Sequence, residues 1–446
     1  MDKYFQLIEE AAAEARADHR PVCRMVVLKF LTKPIFDQCK YLLTRMDHGI
    51  LNVIWPVILD QSRSVEDRLK QSGTFFEEAG IVLPDYESYV VFSAIVLPVV
   101  KYLNGMDPKQ PILPHPPTEF FEDVEEEVSS VGTTVTVLSK MELRNDEAAQ
   151  RNMDLDPSRK MILHSVAHCT RNLQDFNLPM CLTLDELRQV ERFLRRALLT
   201  GKSPYETKDE KSGYEYDDLV LSDDEGTYYP LEELSDPLHD VRARLRSAGQ
   251  WLEQQGDPDR SMRLHGKYWP IGRGVFVTRD GSIAAYINVQ DHLRVMVAAK
   301  EGQAGKIGLV YRKIGEFMNK LDRIFKFKRD DILGHLSSRP WACGNTLRFK
   351  VTVRLPKLGR EPEHLIALCK SRSLRLASAA SLDVFHFSNR QCLSITESQT
   401  YRSFVTAVAN ILQLEHRMEA NGLHFTAILG KLFRRRHLAE ANAARS

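Results

Sequence analysis

Residues 268–297, YWPIGRGVFVTRDGSIAAYINVQDHLRVMV, are the stretch on which the fold turns. Gly272-Arg273-Gly274 reads as a tight turn, and two β-prone runs follow it, joined by Thr278-Arg279-Asp280-Gly281. Asp-Gly between apolar runs is a strong local signal for a hairpin. After the second run, Asn288 to His292 reads as a short polar interruption before a third run, Leu293 to Ala298. A cluster of polar side chains is therefore expected where a sheet turns, on a rigid base able to present chemistry.

Around that stretch the chain alternates helices and strands. TLRFKVTVRL, Thr346 to Leu355, has strand periodicity, and its charged face (Arg348, Lys350, Thr352, Arg354) reads as the solvent side of a sheet. Leu184 to Leu199 reads as an amphipathic helix with Thr183 as its cap. Ile307 to Phe325 repeats apolar residues at Ile307, Val310, Ile314, Phe317, Leu321 and Ile324, which is helical spacing. Glu397 to Ala420 predicts a final long helix. Residues 1–105 read as all helical: Ala11 to Ala17 favours helix, and Val26, Val27, Phe30 and Leu31 begin a buried face. Thr32-Lys33-Pro34 reads as a helix start, and Tyr86 to Leu103 as a helix that Pro98 should kink or shorten.

The expected fold is α+β: a small all-helical N-terminal domain, residues 1–105, and a larger domain, 157–430, with an antiparallel sheet flanked by helices. Residues 106–156, proline-rich and then acidic, read as the connector, and residues 201–226 as an exposed, mobile polar insertion. Residues 431–446 form a basic tail that includes Arg434, Arg435 and Arg436.

Composition narrows the classes. Of 446 residues, 43% are apolar and 27% charged, as in an ordinary globular protein. A net charge of +1 gives no global attraction to nucleic acid or to an anionic membrane. The seven cysteines are scattered without a CxxC pair, which points to reduced intracellular thiols. No apolar run is long enough to span a bilayer, and the acidic, helical N-terminus is unlike an export signal. The expected location is the cytoplasm, and no metal site is apparent.

The quoted stretch resembles the phosphagen (guanidino) kinase family, arginine kinases in particular, whose members carry W-P-x-G-R-G followed by N-E-E-D-H-L-R. Trp269, Pro270, Gly272, Arg273 and Gly274 match, as do Asn288, Asp291, His292, Leu293 and Arg294. LKFLTKPIFDQCK, GIVLPDYESYVVF and HPPTEFFEDV are similar to segments of the family's small helical domain, and Leu355 to Leu358 to its L-P-K-L. The resemblance runs from about Met25 to Met418. It implies the fold above and an ATP:guanidino phosphotransfer, with MgATP as the nucleotide.

Such a transfer needs charge to neutralise the triphosphate, which arginine supplies well. It also needs carboxylates to align and deprotonate the guanidinium. At the positions where the resemblance implies these groups, most are changed. Arg294 and Arg348 keep two phosphate-binding arginines, and Arg171 matches a third arginine beyond the family's S-x-R-V-R, but Val166 and His168 replace that segment's own pair. The family's flexible R-G-T-R-G-E-H loop corresponds to LASAASLDV, Leu376 to Val384, which holds no arginine or glutamate. Val289 and Gln290 stand in place of the N-E-E-D glutamates, and Arg339 stands in place of the reactive cysteine; Cys343, four residues on, reads as a buried thiol. Gly80 and Ile81 remain from the guanidine-reading loop, with Val82 where the family has tyrosine.

Each charged contact removed from a preorganised site costs on the order of a few kcal/mol in the transition state, so these losses together would erase most of the acceleration. No residue is therefore assigned a catalytic role. The expectation is a catalytically inactive relative that serves as a structural or binding component for a protein partner, a cytoskeletal or axonemal filament being the suggested class. Two other readings stay open: an active phosphotransferase with substitute residues, and a nucleotide-sensing regulator that binds MgATP without transfer.

Overall fold

The computed structural model describes residues 1–17, 26–54, 81–121, 153–201, 226–252, 262, 264–378, 381 and 383–421. An eight-stranded sheet forms the larger part, with strand order β2-β3-β4-β5-β1-β8-β10-β9. The strands are β1 (Ile162–Arg171), β2 (Gly226–Pro230), β3 (Gly274–Thr278), β4 (Ile283–Val289), β5 (Asp291–Ala298), β8 (Arg348–Arg354), β9 (Leu374–Ser378) and β10 (Val384–Asn389). All their pairings are antiparallel. A small ribbon of β6 (Arg329–Asp330) and β7 (Gly334–His335) lies apart.

Strand alternation splits the sheet into two faces. Ala167, Cys169, Ala285, Ile287, Leu293, Val295, Phe349 and Val351 point to one face, where the helices Leu184–Thr200, Ile307–Ile324, Pro362–Ser371 and Glu397–Asn421 bury them. The predicted helices at Leu184, Ile307 and Glu397 thus stand within a residue or two of their expected ends. At Thr183 the cap is a full capping box with Glu186.

On the opposite face, Val166, Val275, Ala284, Tyr286, Met296 and Ala298 pack under Leu231, Leu234, Val241, Leu245 and Trp251. Beyond that patch the same face carries His168, Arg294, Arg348 and Lys350. The solvent-side reading of β8 is therefore corrected: Arg348 and Thr352 are buried, and only Arg354 is exposed. A second correction concerns Asn288 to His292. The interruption there is the single residue Gln290, with φ +71, while Asn288 and Asp291–His292 lie buried in β4 and β5.

The helices of the helical part include Asp2–Ala17, Val26–Phe30, Lys33–Cys39, Ser88–Val91 and Ser93–Leu103. Its helix pair breaks at Phe92, not at Pro98, which sits inside the second helix. Pro98 removes one hydrogen bond, but Val96, Val99, Val100 and Leu103 around it are fully buried, and that burial outweighs the loss. Thr32 occupies the expected cap position, yet its side chain makes no capping hydrogen bond. The core of this part is separate from the core between sheet and helices, but it takes in residues of the larger part: Leu178, Leu333, Leu336, Trp341, Cys343 and Leu393 pack among Ile81, Tyr89, Ile95 and Val99. Gly80, the acidic stretch at 122–127, most of the 201–226 insertion and the basic tail lie outside the described residues.

Candidate active site

The WPxGRG turn is built around Arg273. Its guanidinium is buried and donates to the carbonyls of His265 (2.8 Å), Tyr268 (3.1 Å), Ile271 (2.8 Å) and Asn288 (3.0 Å). Asn288, with φ +57, returns the tie by donating its amide to Gly272 and Leu187 carbonyls, both at 2.9 Å. These residues fix the turn through satisfied backbone oxygens, which explains their types without a ligand.

Asp291 and His292 do similar work one residue further on. The buried Asp291 carboxylate accepts from Asn172 Nδ2 (2.7 Å), Ser337 Oγ (2.7 Å) and Ser338 N (2.8 Å). His292 Nδ1 accepts from the Leu173 amide at 2.9 Å, and burial brings its pKa down to about 3. A neutral ring is what that contact requires.

Arg294 and Arg348 stand on β5 and β8, the two strands that flank β1, and both point to the sheet face opposite the helices Leu184–Thr200 and Ile307–Ile324. Between them on β1 is His168, opposite Arg348. Trp341, in the one-turn helix Pro340–Ala342, completes the group. Its ring centroid is 4.7 Å from the Arg348 guanidinium carbon and 5.6 Å from that of Arg294, and His168 meets it edge-on at 6.0 Å. Arg348 also donates to the carbonyls of Asn389 (2.7 Å) and Trp341, and Arg294 donates to Gln290 Oε1 at 2.7 Å. Burial pushes His168 well below its usual pKa, and the charges of Arg294, Arg348 and Lys350 push the same way. Lys350 itself is brought down to about 8 by burial. The site is thus rich in donors and positive charge.

Of the residues singled out from sequence, Arg294 and Arg348 are brought together. Ile81 is not beside them: its side chain packs in the core of the helical part, and the nearby Leu83 amide donates to the Ser338 carbonyl at 2.9 Å. Arg339, at the family's cysteine position, is buried and donates to the Leu264 carbonyl at 3.0 Å. Cys343 is a fully buried thiol, pushed up to about 12 by burial, with Tyr89 Oη 2.6 Å from its sulfur. Arg171 faces away, buried beside Glu397 (3.5 Å) and Asp322 (3.9 Å) on the helical side of the sheet. Sequence reasoning missed Trp341; a lone tryptophan between proline and alanine carries no periodic signal, and only its place beside two arginines gives it meaning. Among the described residues no three His, Cys, Asp or Glu side chains gather to hold a metal ion, and no helix is long and apolar enough to cross a membrane.

Two family models match the chain and together cover its larger part. Residues 21–101 match the ATP:guanido phosphotransferase N-terminal domain, and residues 210–418 match the ATP:guanido phosphotransferase C-terminal catalytic domain. Among curated proteins, the arginine kinase of Artemia franciscana is 25% identical over 402 residues, covering 88% of this chain and 93% of its own. The arginine kinase of Limulus polyphemus is likewise 25% identical over 402 residues, with 88% and 93% covered. Solved structures share the fold at lower identity. A lombricine kinase superposes with a TM-score of 0.60 at 19% identity, covering 89% of this chain and 93% of that one. The duplicated taurocyamine kinase of Schistosoma mansoni gives 0.63 at 19% identity; 92% of this chain is covered, and it spans about half (49%) of that longer chain.

Proposed function

Because the chain belongs to the ATP:guanido phosphotransferase (phosphagen kinase) family, we propose that it is a member that has lost transfer and serves as a binding or structural component. The observation that carries this reading is the state of its two retained arginines. In this reading Arg294 and Arg348 are structural cations, spending their donors on Gln290 and on backbone carbonyls and their faces on Trp341. At the neighbouring positions that would supply a carboxylate base stand Val289, buried in the apolar patch, and Gln290, which has no basic oxygen at neutral pH.

The surviving frame, with its buried interdomain core, offers surface in place of turnover. We take the partner to be a protein, engaged through the family-atypical segments 106–156, 201–226 and 431–437, and the location to be cytoplasmic. A filament with an acidic surface fits the arginine-rich tail by charge. Three measurements test the proposal. Purified protein in a coupled assay with MgATP and arginine, taurocyamine or lombricine is expected to stay at background; sustained ADP formation dependent on one of these guanidines would overturn it. Native purification is expected to bring down a defined protein neighbour, and removal of residues 431–446 to weaken that association. Imaging of the tagged chain is expected to place it in the cytoplasm.

A further inference from the structure

We infer that Trp341 is a built-in plug: its indole holds the arginine pair in the place of a polyphosphate chain and so excludes nucleotide from this face. The inference rests on the reading that the arginine face is no longer used for transfer, and it names the device that closes it.

Both guanidiniums lie within cation–π distance of one ring, at 4.7 and 5.6 Å, and the His168 ring presses on it at right angles (87°). A guanidinium offers a ligand its N–H edge and its flat face. For Arg348 the edge is turned to the carbonyls of Asn389 and of Trp341 itself, and the face to the indole. Arg294 gives an N–H to Gln290 and a face to the same indole. A phosphate oxygen approaching either guanidinium from the side of the indole meets the ring first.

That ring is not a loose side chain. It is 5% exposed, follows Pro340 in a one-turn helix, and belongs to the core that also contains Ile81, Tyr89 and Leu333. The indole Nε1 is buried and makes no hydrogen bond, although a buried indole N–H usually finds an acceptor. The ring is thus kept in place by packing and by the two cations, and its N–H is one more donor in a group that would suit an anion. An aromatic of the larger part that packs into the core of the helical part and is clasped by arginines of the sheet also ties the two parts together.

The test is binding of sodium tripolyphosphate and of MgATP, measured by calorimetry on the full chain. Wild type is expected to give no saturable heat at millimolar ligand. Trp341→Ala is expected to bind tripolyphosphate at least ~10-fold more tightly than wild type, the scale set by losing one desolvated cation–π contact. The gained affinity should fall as salt is raised and vanish in Trp341→Ala/Arg348→Gln. Trp341→Leu, which keeps apolar volume in the helical core but no π face, gives the same reading should the alanine variant fail to fold. Phenylglyoxal labelling of wild type, mapped by mass spectrometry, adds a readout independent of any variant: tripolyphosphate should leave Arg294 and Arg348 labelling unchanged. Equal binding by wild type and a folded variant, no binding by folded variants, or protection of these arginines in wild type would each overturn the plug. Turnover in the coupled assay would instead strike the reading of lost transfer, so the two failures are distinguishable.

Discussion

Replacing Asp291 tests whether the DHLR motif now serves to hold the two parts of the chain together. Its carboxylate accepts three hydrogen bonds, from Asn172 Nδ2, Ser337 Oγ and Ser338 N. The Ser337–Ser338 segment in turn receives the helical part: Leu83 N donates to the Ser338 carbonyl at 2.9 Å, and Tyr89 Oη to that of Ser337 at 2.7 Å. In Asp291→Ala the Ser337 hydroxyl can rotate to another acceptor, but the Ser338 amide and one Asn172 N–H are left buried without one. At ~1–3 kcal/mol for each of these two orphaned donors, the expected loss is roughly 2–6 kcal/mol. Asp291→Asn keeps the shape and the oxygen facing Ser338 and Asn172, while its amide can donate to a rotated Ser337 hydroxyl. It should cost only about 1–2 kcal/mol, the difference between charge-assisted and neutral bonds. Urea unfolding followed by circular dichroism at neutral pH reads both values, and hydrogen exchange at the Leu83 amide should speed up in step with them. A loss below ~1 kcal/mol for Asp291→Ala, or equal losses for the two variants, would refute the role given to this carboxylate.

Acid should destabilise the protein through its buried neutral histidines. Burial holds His292 at about 3, and burial together with Arg329 holds His115 at about 4, both below the ordinary histidine value of 6.5. Their contribution to stability is complete above pH ~6.5 and is lost as pH falls toward those values, because the unfolded chain takes up the protons first. His292→Asn, which can keep an acceptor for the Leu173 amide, should flatten that slope between pH 6.5 and 4; an unchanged slope would rule His292 out as its source. Arg171→Met should cost about 3–5 kcal/mol by stranding Glu397 and Asp322 in the sheet's helical layer. The double variant Arg171→Met/Glu397→Gln should recover part of it, and strict additivity in denaturant melts would argue against a coupled pair.

The sequence alone determined much of this protein, since its strongest signals are local and periodic. The Asp-Gly turn between apolar runs set the β3–β4 hairpin, three-to-four spacing set the helix Ile307–Ile324, and Thr183 with Glu186 set the start of the helix Leu184–Thr200. The motif at Trp269 to Arg294 also carried the family. Two local readings were overruled by burial. Pro98 sits within an intact helix held by the buried Val96, Val99, Val100 and Leu103, and the polar residues flanking Gln290 continue as strands because each finds a buried partner.

Only the tertiary structure decided what the remaining site residues do. Alternation on β8 put Arg348, Lys350 and Thr352 on one face but could not say what covers that face. Arg294 and Arg348 are neighbours only because β5 and β8 both pair with β1, and Trp341 reaches them only because the helical part packs against its turn. A cation–π contact or a shared carboxylate depends on distances of a few ångströms between strands far apart in the chain. Such distances are set by sheet order and core packing, which no local pattern of residues encodes.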